Sequence, residues 1–68
     1  MKAGDRVRWA WGQGHATGIV TATYARKVTR TLKSAEVTRN GSQDDPDLAI
    51  EQADGGIVLK LASEVETA

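Results

Sequence analysis

The stretch GDRVRWAWGQGHATGIVTATY, residues 4–24, decides the fold of this chain. Its first part alternates in character, and a period of two puts Val7, Trp9 and Trp11 on one face of a β-strand. The glycine-rich turn at residues 12–14 reverses the chain. Residues 15–24 are rich in β-branched side chains, which favour a second strand over a helix. The stretch therefore predicts a curled β-hairpin onto which later segments can wrap.

A second hairpin is predicted near the C-terminus. Residues 47–52 alternate between two faces, and the return strand has apolar side chains at every second position from Ile57 to Leu61. The sequence DGG at residues 54–56 between these runs is typical of a tight hairpin turn.

The middle segment, KVTRTLKSAEVTRNGSQDDP at residues 27–46, is less regular. Val-Thr-Arg occurs in it twice, at residues 28–30 and 37–39, which indicates either a hairpin or a long extended arm bent near residues 34–35. Asn40 and Gly41 form a strong turn signal, and a polar loop is expected before Pro46.

The predicted elements together indicate an all-β fold. Five short strands, a bent hairpin, a long middle arm and a helical turn at residues 62–64 before a last strand suggest a small, five-stranded SH3-like barrel. An open meander with a more mobile arm is the alternative. Residues 1–68 form one domain, with residues 1–3 and 67–68 frayed. So short a chain must bury most of its large apolar side chains, and the predicted core is Val7, Trp9 or Trp11, Ile19, Val20, Leu32, Leu48, Ile50, Ile57, Leu59, Leu61 and Val65.

Composition narrows the classes of function. The chain has no cysteine, so neither a disulfide nor a thiolate metal site is available. No apolar run approaches the length of a membrane span, and the N-terminus has no apolar signal region. We therefore expect a cytoplasmic, monomeric protein that does not contact a membrane. Without a phosphate loop, a dinucleotide fingerprint or a defensible catalytic constellation, we expect no enzyme activity, no metal and no cofactor.

The net charge is zero, but its distribution along the chain is uneven. Residues 1–43 hold eight of the nine basic side chains and two of the nine acidic ones, and residues 44–68 hold the reverse excess. The simpler interpretation is that the two halves interleave and neutralise each other as a mixed surface. The alternative is a basic face suited to phosphate.

The motifs carry a family resemblance over almost the whole chain. The residues that show it best are WAWG at 9–12 with two following glycines, TRT at 29–31, and TRNGS at 38–42 with Asp45-Pro46. This pattern resembles the hypervirulence-associated TUDOR domains, a family of small bacterial and fungal domains. The resemblance implies a Tudor-like, SH3-type barrel and brings no catalytic residues. In that family a glycine commonly follows the lysine of the middle motif, where this chain has Ser34-Ala35.

The aromatic residues are the first candidates for a ligand site. Trp9, Trp11 and Tyr24 are the only aromatic residues of the chain. Tudor relatives can bind methylated lysine or arginine in an aromatic cage through cation–π attraction, but such a cage usually needs three or four aromatic walls and an acid. Because the core needs at least one tryptophan, packing is the favoured role, with one ring partly exposed.

Basic residues of the middle segment are the second candidates. Five of them lie close together: Arg26, Lys27, Arg30, Lys33 and Arg39. With a nearby tryptophan, an extended basic arm could hold the phosphates of single-stranded nucleic acid and stack a base. Backbone N–H groups around Asn40 could instead hold the phosphates of a nucleotide or dinucleotide. A solvated arm paired with acidic residues is the simpler interpretation.

The sequence thus predicts a small, non-catalytic binding module. Nucleic acid is the preferred partner, contacted through the basic arm and an exposed aromatic edge. The competing hypothesis is a protein-interaction domain that binds a peptide along a sheet edge or a methylated side chain. The candidate ligand-binding residues are Trp9, Trp11, Tyr24, Arg26, Lys27, Arg30, Lys33, Arg39 and Asn40.

Overall fold

The computed structural model describes residues 1–32 and 35–68. Over these residues the chain forms strands and one 3-10 helix, in the order β1 (Arg6–Trp11), β2 (Gly14–Tyr24), β3 (Lys27–Leu32), β4 (Ala35–Asn40), β5 (Asp47–Glu51), β6 (Ile57–Leu61), the 3-10 helix (Ala62–Glu64) and β7 (Glu66–Thr67).

Two antiparallel sheets contain these strands. The larger has five strands in the order β6-β5-β2-β1-β7, and the smaller is the β3–β4 hairpin. The predicted all-β fold and the helical turn before the last strand are confirmed. Over residues 1–32 and 35–68 the ladder ends at β6 on one side and β7 on the other, so hydrogen bonding does not close a barrel.

Strand β2 is the longest strand of the larger sheet and pairs with both β1 and β5. Its first part pairs with β1, and its second part pairs with β5 from Ile19 to Tyr24. The register shifts between Val20 and Ala22, and the Thr21 hydroxyl donates a hydrogen bond to the Ala49 carbonyl at 3.2 Å. A bulge of this kind increases local twist and curls the sheet, in agreement with the curled hairpin that the sequence predicts for residues 4–24.

The β5–β6 hairpin confirms the second sequence prediction. Glu51 pairs with Ile57, and the turn between them follows the DGG motif. The Gly56 amide donates to the Asp54 side chain at 2.8 Å. Gly55 has a φ of 87°, a conformation that side-chain-bearing residues rarely adopt.

The repeated Val-Thr-Arg motif forms the β3–β4 hairpin, so the hairpin alternative is correct. The two copies pair in opposite directions: Val28 with Arg39, Thr29 with Thr38 and Arg30 with Val37. The hydroxyl oxygens of the two threonines are 2.8 Å apart. The bend predicted near Ser34 and Ala35 falls partly on residues 33–34, which lie outside the described part of the chain.

The NGSQDDP segment after β4 ties the hairpin to the larger sheet. The Gly41 amide donates to the Arg26 carbonyl at 3.2 Å, and a Cβ at residue 41 would come within 3.0 Å of three backbone atoms. The Asp45 carboxylate accepts hydrogen bonds from the backbone and the hydroxyl of Ser63, at 2.8 and 2.7 Å. The Pro46 carbonyl accepts from the amide of Ala62 at 2.9 Å. The polar loop therefore fixes the 3-10 helix.

Strands β1, β2, β5 and β6 contribute most of the apolar core. Its buried side chains are Val7, Trp9, Val20, Leu48, Ala49, Ile50, Leu59 and Val65. The prediction for Ile19 is wrong: it is 37% exposed, because neighbouring residues of a strand point to opposite faces and Val20 points inward. Ile57 and Leu61 are half-buried. The side chain of Leu32 lies outside the described part.

Candidate functional site

A mostly apolar groove of about 450 Å³ runs along one side of the domain. Trp9, Trp11 and Ala16 from the first hairpin line one part of it. The remaining lining comes from Val37 and Arg39 of β4, from residues 57–60 of β6, and from Gln52 and Asp54 near the preceding turn. Three separate segments of the chain therefore build the groove.

The groove lies between the first hairpin, β4 and β6. Strand β1 pairs with β7 at Val7 and Arg8, and its continuation to Trp11 has no ladder partner on that side among the described residues. Strand β6 likewise pairs with β5 alone within residues 1–32 and 35–68. Among the described residues, two strand edges without a second ladder partner therefore border the groove.

The two tryptophans play different parts in this groove. Trp9 is 5% exposed and belongs to the core, so its ring supports the groove from within. Trp11 is 73% exposed although it continues the same alternation, because it lies at the hairpin tip beyond the buried part of the sheet. The sequence favours a packing role for the aromatic residues with one ring partly exposed, and in the tertiary structure the exposed ring is that of Trp11.

Polar side chains surround the apolar lining, and Arg39 is the most constrained of them. Its Nε donates to the Glu64 carboxylate at 2.8 Å, and its Nη1 donates to the Thr38 carbonyl at 3.0 Å. Partial burial alone would raise the pKa of Glu64. The Leu61 amide, which donates to it at 2.8 Å, and the Arg39 guanidinium outweigh this effect and hold that pKa below its ordinary value. Because Glu64 neutralises Arg39, the groove is not a strongly basic site.

Tyr24 lies elsewhere, beside two other arginines. Its ring centroid is 5.4 Å from the guanidinium carbon of Arg26 and 5.5 Å from that of Arg30. Arg30 Nη2 also donates to the Tyr24 hydroxyl at 2.6 Å. None of these three residues lines the groove. The structure therefore does not bring the three aromatic residues together as walls of one cage.

The other predicted site residues are distributed around the β3–β4 hairpin. Lys27 and Asn40 are paired and exposed at its base. Lys33 lies outside the described residues. The basic arm thus divides between the Tyr24 cluster, the groove and solvent. Two ion pairs, Arg39 with Glu64 and Arg8 with Glu66 at 3.3 Å, join the basic and acidic halves as the mixed-surface interpretation expects.

Several residues of the groove are not among the site residues that the sequence predicts. They are Val37, Ile57, Val58 and Lys60, which the sequence places only in strands. One signal was available, since IVLKL in β6 has apolar side chains on both faces, and a strand of this kind usually has both faces covered.

Asp47 is an unexpected buried charge at the start of β5. It is 0% exposed, and neither carboxylate oxygen meets hydrogen-bond geometry with a donor in residues 1–32 or 35–68. Burial raises the pKa of this carboxyl above its ordinary value. The nearby Gly41 amide and Arg39 guanidinium favour the ionised form but do not compensate.

The structure also bears on other kinds of site. No group of three metal-ligating side chains occurs in the described part of the chain. Within that same part, no helix has the length and apolar character needed to cross a membrane.

The fold and the groove define the chain as a small antiparallel all-β domain with the features of a binding module. It belongs to the family of TUDOR domains of hypervirulence-associated proteins, whose pattern it matches over residues 4–65. The resemblance noted in the sequence is thereby confirmed. Domains of this kind are generally non-catalytic. Neither the curated proteins nor the solved structures include a significant match to this chain.

Proposed function

We propose that this domain is a protein-interaction module that binds an extended peptide segment in the groove between the first hairpin and β6. The observation that carries the proposal is the 73% exposure of Trp11 beside a mostly apolar groove, bordered by two strand edges that have no second ladder partner within residues 1–32 and 35–68. Tryptophan is enriched among residues that dominate binding energy at protein interfaces.

The strand edges indicate the form of the ligand. An extended segment can pair its backbone N–H and C=O groups with an exposed strand edge, while every second side chain enters the groove. The peptide would then pair with the edge of β1 at Trp9–Trp11, in the same way that β7 pairs with β1 at Val7 and Arg8. An apolar side chain of the peptide would lie against Trp11, Val37 and Val58.

The charges at the groove favour a peptide over a nucleic acid there. Arg39 is paired with Glu64, and Lys60 shares the lining with Asp54, so the basic and acidic groups are nearly balanced. The preferred sequence-based hypothesis required the exposed tryptophan beside several free basic residues. Trp11 and the Arg26–Arg30 cluster instead occupy separate places.

A selection from phage-displayed random peptides tests the proposal. The wild-type domain should enrich peptides with spaced apolar residues, and Trp11→Ala should lose that enrichment. Ile19→Ala is the matched control, because Ile19 is also an exposed apolar strand residue but does not line this groove. Binding of an enriched peptide should change little with salt, since apolar and backbone contacts dominate.

Amide-correlation NMR with an enriched peptide then locates the binding site. We expect shifts at the Trp11 indole and at the amides of residues 57–60. Peptides that bind wild type and Trp11→Ala equally well, or shifts confined to residues outside the groove, would reject the proposed function.

A further inference from the structure

We infer that the cluster of Arg26, Tyr24 and Arg30 is a second binding site, separate from the groove, for the phosphates and bases of single-stranded nucleic acid. Two guanidinium groups lie 5.4 and 5.5 Å from one tyrosine ring, and one of them donates to its hydroxyl at 2.6 Å. The proposal does not rest on the peptide-binding function of the groove.

The backbone positions of all three residues are fixed by the fold. Tyr24 ends β2 and pairs with Asp47, while Arg30 lies within β3 and pairs with Val37. Arg26 lies between these two residues in the sequence, and its carbonyl accepts a hydrogen bond from the Gly41 amide at the base of the hairpin. Side chains that are already held against an aromatic ring lose less conformational freedom when a ligand binds.

The positive charges of this cluster are available for a ligand. Arg8 and Arg39 each have a carboxylate partner, at 3.3 and 2.8 Å. Within residues 1–32 and 35–68, no carboxylate forms an ion pair with Arg26 or Arg30. Both side chains are exposed, and Lys27 is exposed beside them. Among the described residues, Arg26, Lys27 and Arg30 are therefore three neighbouring cations without an ion-pair partner.

The chemistry of the cluster matches a nucleic-acid strand. Guanidinium groups bind phosphate oxygens in a bidentate manner, and their planes also stack on bases. Single-stranded binding sites combine such cations with an aromatic surface, and stacking tolerates any base sequence. We therefore expect binding with little sequence preference.

Fluorescence anisotropy with a labelled oligothymidylate of about 12 nucleotides tests this site. For the wild-type protein, affinity should fall with rising salt, with a slope of about −0.7 per phosphate contact on a double-logarithmic plot. Arg26→Gln with Arg30→Gln should weaken binding about tenfold and make the slope shallower by about 1.4.

The matched control removes two positive charges elsewhere, by Lys2→Gln with Arg6→Gln. If this control lowers the affinity for the oligonucleotide as much as the arginine pair does, binding depends on overall charge and the proposed site is wrong. Arg26→Lys with Arg30→Lys keeps the charge and should retain the salt slope but lower the affinity, because lysine does not stack as arginine does.

Three further outcomes would reject the inference. One is the absence of wild-type binding at low salt, and another is a loss of oligonucleotide binding on Trp11→Ala alone, which would move the site to the groove. The third is tighter binding of a phosphoserine peptide than of the oligonucleotide, which would assign the cluster to a protein ligand. Thermal unfolding of each variant checks that the fold is intact.

Discussion

Asp47→Asn should change the dependence of folding stability on pH. Asp47 is fully buried and its carboxylate has no hydrogen-bond partner in the described part of the chain, so the ionised form is poorly stabilised in the fold. The asparagine side chain has nearly the same shape and carries no charge. The comparison therefore isolates the cost of ionising a buried carboxyl.

The direction follows from the raised pKa of Asp47. Below the ordinary value of 3.8, the carboxyl is neutral in both the folded and unfolded states, and wild type has its full stability relative to the variant. As the pH rises, the unfolded chain ionises first, because the folded pKa is higher. Wild type therefore loses stability relative to Asp47→Asn until the pH exceeds the folded pKa, and the difference is constant above it.

The expected size is set by the environment of the side chain. A buried polar group without a partner costs about 1–3 kcal/mol, and we expect the free energy of unfolding of wild type to fall by that amount relative to the variant. Each unit of pKa shift corresponds to about 1.4 kcal/mol, so the measured difference also gives the shift.

Urea unfolding followed by tryptophan fluorescence measures this effect, since Trp9 is buried in the core. Wild type and Asp47→Asn are compared at several pH values from about 3 to about 8. Asp44→Asn is the control, because Asp44 is exposed and makes no side-chain hydrogen bond within the described residues. The reasoning is refuted if the difference between wild type and Asp47→Asn does not change with pH, or if wild type gains on the variant as the pH rises.

Two further predictions concern the groove. Trp9→Ala should lower the free energy of unfolding by about 3–5 kcal/mol because it empties part of the core. Trp11→Ala should change the free energy of unfolding by less than about 0.5 kcal/mol. Equal losses in urea unfolding would contradict the assignment of Trp9 to the core and Trp11 to the surface. Glu64→Gln should destabilise the domain at neutral pH by weakening the contact with Arg39. Because the folded pKa of Glu64 is lowered, the stability advantage of wild type should disappear as the pH falls below 4.5, and it should also shrink at high salt. An advantage that persists in acid would show that the charge of Glu64 does not matter.

Local sequence patterns predicted most of the strands. Alternation in residues 6–11, 47–52 and 57–61, together with the DGG turn, specified two hairpins, because side-chain direction and turn geometry depend on a few neighbouring residues. The paired Val-Thr-Arg motifs are compatible with a hairpin and with an extended arm. Only the pairing of Thr29 with Thr38 decided between them.

The sequence by itself determined the all-β class, the family and the composition of the candidate sites. It identified the aromatic residues and the basic arm, since residue type alone limits which ligands they can contact. The tertiary structure decided which of them meet. Trp11 lines one groove with residues of β4 and β6, Tyr24 lies beside Arg26 and Arg30, and Arg39 pairs with Glu64.

The burial of Asp47 was likewise decided by tertiary structure. In the sequence it is one of three aspartates beside a proline, and nothing local distinguishes it from Asp44 or Asp45. Its environment comes from Tyr24 in β2 and Leu61 in β6, which pair with it from both sides, and from Gly41 at the base of the hairpin. These contacts depend on how the sheet curls, and a curl is set by long-range packing and strand pairing that no short stretch of sequence contains.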